Sequence, residues 1–139
     1  MVRTREFSLK RILLVAPMVA VLLATGTLWA HHAPTAVFDM SKPVTVKGNL
    51  TKVDWFNPHI SIVIDAKTAE GAAEDWKFES NPPYWFKKVG VSRADFAKSV
   101  GQPVTVGGVR ARDGSHYGYM FRITFPDGQS LELQPKEIK

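Results

Sequence analysis

Four histidines and a dense set of aromatic side chains are the chemistry-bearing groups of this 139-residue chain, which contains no cysteine. His31 and His32 are adjacent and directly follow Ala30. A chain cut after Ala30 begins with the α-amine of His31. That amine, its own imidazole and the imidazole of His32 form a compact nitrogen donor set suited to copper. The amine's pKa of roughly 8 makes its deprotonation by Cu(II) inexpensive. His59, just after the Asn57-Pro58 turn, is the natural further donor, and Met40 or Met120 would supplement Cu(I) as a soft ligand. Plainer roles stay open beside these: two histidines in a frayed terminus, and a His59 that only hydrogen-bonds its turn. His116, beside Asp113-Gly114-Ser115, is expected to be solvated.

The aromatic residues offer a second chemistry. OB-like barrels use exposed aromatics as stacking platforms for sugars or bases, which makes Trp55, Tyr84 and Trp85 a candidate ligand groove. The competing expectation is that Trp55, Trp76 and Phe78 fill a core built without disulfides, while Trp85 and Phe86 dock a short helix. Tyr84, beside Pro82-Pro83, is the residue best placed to stay in a groove. Arg110, Arg112, Lys87 and Lys88 could hold an anionic group, but a solvated face is the plainer expectation.

Templates for catalysis fail. No Ser-His-Asp arrangement is signposted, a cysteine nucleophile is lacking, and no glycine-rich loop opens a helix. Asp39, Asp54, Asp65 and Glu79 fall on different elements with no pairing interval. The chain is expected not to be an enzyme.

An address is legible ahead of the histidines. Arg3, Arg5, Lys10 and Arg11 precede an uncharged run from Ile12 to Leu28, and Ala30 occupies a plausible cleavage position. Leu28 at the −3 position is larger than usual, so cleavage after Gly26 competes. An uncleaved anchor is opposed by Pro17, Gly26 and the histidine break. The expectation is a Sec-type signal peptide over 1–30 and a periplasmic or secreted product with no membrane span after cleavage. Four basic residues against Glu6 put +3 of the chain's formal +5 in that leader, leaving about +2 for the remainder. No clustered basic stripe of the kind that grips nucleic acid then remains. The partners expected are a metal ion or an envelope component, and the chain is expected to be monomeric.

Hydrophobic periodicity supplies the scaffold. An arm over 31–43 is followed by alternation from Val44 to Trp55 whose phase slips: Val44, Val46 and Leu50 share one parity, Val53 and Trp55 the other. A bulge or bend near Gly48–Lys52 reconciles them. A second strand runs from His59 to Asp65 with Ile60, Ile62 and Ile64 on one face, and a shorter third from Trp76 to Glu79. Asn81-Pro82-Pro83 then opens a helix over Tyr84 to Val89 that stops at Gly90. Ser92-Arg93-Ala94-Asp95 is a capping box opening another, to about Ser99. Strands return at Val104–Val109, Tyr117–Phe125 and Gln129–Leu133, the last two joined at Pro126-Asp127-Gly128. The expected fold over 44–139 is mainly β: a small OB-like antiparallel barrel of five to six strands with a helical insertion between strands 3 and 4.

The segments Ala30-His31-His32, Phe38-Asp39, K-P-V-T-V-K-G (Lys42–Gly48), V-x-W-x-N-P-H (Val53–His59) and R-A-R-D-G-S (Arg110–Ser115) carry a resemblance. Together they are similar to a family of small secreted bacterial proteins known only as a domain of unknown function. The resemblance implies a cleaved signal peptide and an OB-like β-fold, and it brings no activity with it.

Overall fold

One long strand has to pair with two neighbours, and its glycine is where the two pairings meet. The computed structural model describes residues 34–133. Strand β1 (Phe38–Asp54) runs antiparallel to β4 (Pro103–Ala111) from Phe38 to Asn49, and antiparallel to β2 (Ser61–Lys67) from Gly48 to Asp54. At Gly48 the two partners overlap, and a Cβ there would run into the Asp65 carbonyl and the Ile64 side chain. The β1–β2 register slips between Leu50 and Lys52, at the bend that the parity change of Val46 and Leu50 against Val53 and Trp55 predicts.

The other strands are β3 (Ala73–Glu79), β5 (Tyr117–Thr124) and β6 (Ser130–Glu132). They form one six-stranded sheet in the order β3-β2-β1-β4-β5-β6, antiparallel throughout except for an additional parallel pairing of β3 with β5 from Lys77–Tyr117 to Glu79–Tyr119. Among the described residues three short helices accompany the sheet: α1 (Pro34–Val37), α2 (Pro83–Lys88) and α3 (Arg93–Ala97). The last two lie between β3 and β4, where a helical insertion is expected. The inward faces of the strands bury Ile62, Ile64, Phe78 and Val106 completely, and the helices add Phe86 and Phe96 to the same cluster. Non-directional apolar burial of this kind must stabilise a fold that no disulfide reinforces.

β1 begins six residues earlier than its alternation suggests, so residues 38–43 of the expected arm belong to the sheet. The cause is Phe38, which is buried with Val109 and Ala111 in a second apolar cluster. Its ring lies 5.0 Å from that of Tyr117 and 5.5 Å from that of Tyr119. Arg112 fixes the segment before it: the Arg112 backbone N–H donates to the Val37 carbonyl at 2.9 Å, and its Nε to the Thr35 carbonyl at 3.0 Å. The register breaks between Phe38 and Pro43, which is how a strand tolerates a proline. β2 starts at Ser61, so His59 precedes it, and β3 starts at Ala73, ahead of the expected Trp76. Among the described residues no helix is long and apolar enough to cross a membrane.

A second close approach lies between β4 and β5, whose register slips between Gly107 and Gly108. A Cβ on Gly108 would strike the Tyr119 carbonyl, whereas one on Gly107 would meet only the Arg122 Cβ at 3.8 Å. Gly108→Ala is expected to destabilise the protein by about 2 kcal/mol or more through overpacking, and Gly107→Ala by far less. Urea denaturation of the two variants checks this, and equal midpoints would count against the packing account.

Candidate functional site

Two short helices and the turn after β1 assemble a concave surface. Pro82 is extended (φ −68°, ψ 158°) and caps α2, with Pro83 in its first turn, where a proline costs no hydrogen bond. Gly90, at φ 77°, ends the helix in the left-handed region. Ser92 and Asp95 form the expected capping box: the Ser92 backbone N–H donates to Asp95 Oδ2 at 2.9 Å and its hydroxyl at 2.8 Å. Those bonds, followed by Lys98, hold the Asp95 carboxyl below the usual carboxylate range. Trp55 is braced by both helices, its ring 5.2 Å from that of Phe86 and 5.5 Å from that of Phe96.

The resulting groove measures about 380 Å³ and is lined by Trp55, Pro83, Tyr84, Lys87, Val91 and Arg93, among others. That volume is at the low end of small-ligand sites, roughly 300–1,000 Å³. Tyr84 is 60 % exposed, and the Lys88 ammonium lies 5.3 Å from its ring centroid. Two of the three aromatic residues of the expected groove therefore meet. Trp85 does not line it and instead packs edge-on against Phe86 at 5.2 Å. Lys87, which the sequence reads as part of a solvated face, lines the groove together with Arg93, which sequence reasoning left out. Their only signal was a basic character that reads equally well as a solvated surface.

The histidines are distributed differently. His31 and His32 lie outside the described residues. His59 is partly exposed, its Nδ1 3.9 Å from Glu79 Oε2. His116 is exposed, as expected, and it also makes contacts: its Nε2 is 2.6 Å from Glu74 Oε1, and its ring stacks on Trp76 at 5.0 Å and 19°. Trp76 is also covered by the Arg110 guanidinium at 5.2 Å, and Arg110 Nε donates to the Ser115 carbonyl at 2.9 Å. Arg110 and Arg112 thus tie down backbone as well as facing solvent. Met120 is sealed in the core and cannot reach a surface metal, while Met40 is exposed. Among the described residues no group of three or more His, Cys, Asp or Glu side chains is arranged to hold a metal ion.

Asn81 joins a further polar cluster. Tyr119 donates from its hydroxyl to Asn81 Oδ1 at 3.3 Å, and Asn81 Nδ2 donates to the Leu133 carbonyl at 2.7 Å. Burial raises the Tyr117 phenol far above its ordinary value, and hydrogen bonding to Glu79 and the charge of Glu79 raise it further. The Tyr119 phenol is raised by burial and then by the same carboxylate.

The chain belongs to the family of unknown function DUF6152, whose family model matches residues 19–120. It matches no curated protein and no solved structure.

The two phenols carry a pH consequence. The unfolded chain releases tyrosine protons near pH 10, whereas the folded state retains those of Tyr117 and Tyr119. Stability should therefore hold up to about pH 10 and fall above it. Tyrosinate absorbance, compared between the protein and Tyr117→Phe, is expected to show a late-titrating phenol. Glu79→Gln should bring it earlier without restoring the ordinary value, and an unmoved titration would exclude the Glu79 contribution.

Proposed function

We propose that this is an exported, non-catalytic binding module of OB-like architecture that holds an oligosaccharide bearing a carboxylate in the Trp55–Tyr84 groove. The OB-like reading is supported by β1 pairing with both β2 and β4, by the parallel β3–β5 pairing and by the helices between β3 and β4. Export is supported by the basic start and apolar run that precede Ala30. Architecture alone does not specify a ligand. The observation that carries the ligand is the lining itself, in which Trp55, Pro83 and Tyr84 present apolar faces and Lys87 and Arg93 add positive charge without a lining carboxylate. Sugar rings stack their C–H faces on such aromatics, and guanidinium and ammonium groups take a carboxylate by charge-assisted hydrogen bonds. Trp55, braced by Phe86 and Phe96, loses little freedom when a ligand arrives.

Calorimetric titration with trigalacturonate and with maltotriose tests this. The acidic trisaccharide is expected to bind and the neutral one to bind at least about tenfold more weakly, a gap of about 1.4 kcal/mol. Tyr84→Ala and Arg93→Ala should each weaken the acidic ligand about tenfold, and added salt should weaken it further. Equal affinity for the two sugars, or none for either, removes the proposal.

The adjacent histidines support a second reading by their position in the sequence. With cleavage after Ala30, the His31 amine and the imidazoles of His31 and His32 chelate Cu(II). Intact mass of the exported protein establishes the terminus. Cu(II) titration of the protein against His31→Ala and His59→Ala then shows which donors bind, and unchanged affinity in both variants removes copper from the account.

A further inference from the structure

Val91 lines the Trp55–Tyr84 groove and also walls a second cavity of about 190 Å³. The two depressions therefore meet at one half-buried side chain. The chemistry on the far side of Val91 is different. Phe125 and Leu131 supply an apolar surface there, and Gln129 and Ser130 supply amide and hydroxyl groups. Its one cation, Lys98, lies 3.3 Å from Asp95 Oδ1 and is compensated by it. Asp127 adds a carboxylate at the rim, exposed and turned on its own loop to accept the Gln129 backbone N–H at 2.9 Å. One end of the path thus attracts a carboxylate, and the other repels it while offering hydrogen bonds to hydroxyls.

Building on the binding function proposed above, we infer that the second cavity is a subsite for a neutral, hydroxyl-rich sugar unit. The occupant of the whole path is then an oligosaccharide of mixed charge, with its acidic unit on Trp55 and Tyr84 and its neutral continuation across Val91 against Phe125 and Leu131. The repulsive carboxylate at Asp127 excludes a uniformly acidic chain, and such repulsion is how a site discriminates between ligands that share one good contact.

Calorimetry with three ligands tests the arrangement: a disaccharide ending in glucuronate, a tetrasaccharide with the same acidic end and a neutral remainder, and an all-uronate tetrasaccharide. The mixed tetrasaccharide is expected to bind about tenfold tighter than the disaccharide, the gain of roughly one or two added hydrogen bonds, and tighter than the all-uronate chain. Gln129→Ala, at an exposed position, should remove most of that gain and leave the disaccharide unchanged. Asp127→Lys should raise the all-uronate chain to the level of the mixed one. If the disaccharide binds and loses affinity with Tyr84→Ala, but the mixed tetrasaccharide gains nothing over it, the subsite is wrong and the groove stands. If no acidic sugar binds, or Tyr84→Ala changes nothing, the groove itself is wrong and the subsite falls with it.

Discussion

The structure depends on the change of partner along β1. A single strand hydrogen-bonds β4 over its first part and β2 over its last, with Gly48 at the overlap and the register slip directly after it. Backbone approach at that point is too close for any side chain on residue 48, so the coil of the sheet follows from one missing methyl group and one extra residue. Everything else is placed by that coil. The β3–β5 pairing and the seating of Phe86 and Phe96 against the strands require that the sheet has already curled.

The helices between β3 and β4 connect fold to site. Each is too short to persist alone, since nucleating a helix costs more than one or two turns return. They hold because Phe86 and Phe96 are buried and because Ser92, Asp95 and Gly90 fix their ends. Trp55 lies against those same two phenylalanines. The groove is therefore the outer surface of the packing that closes the core, and its rigidity has the same source as the stability of the domain.

Local signals in the sequence were legible wherever they had a local cause. The parity slip between Leu50 and Val53 marked the bulge, Ser92-x-x-Asp95 marked α3, and Ile60, Ile62 and Ile64 marked a buried face. What escaped reading arises from contacts between distant residues. Phe38 stands ahead of the alternating run, and burial with Val109, Ala111 and the rings of Tyr117 and Tyr119 makes it part of the strand. The contacts of the exposed His116 were hidden because Glu74 and Trp76 lie more than a strand away in sequence. The aromatic types of the groove could be picked out, but the joining of Trp55 to Tyr84 and Arg93 depended on how the helices dock.

The anchoring of the first described residues has a consequence for when the fold can form. Arg112 grips the carbonyl of Thr35 across a separation of 77 residues, and Phe38 pairs with Ala111 nearby. Contacts of such long range are made late and slowly, because the intervening chain must be gathered first. A chain that emerges from its amino end cannot complete this sheet until nearly all of it is present. Assembly of the sheet is then close to all-or-none.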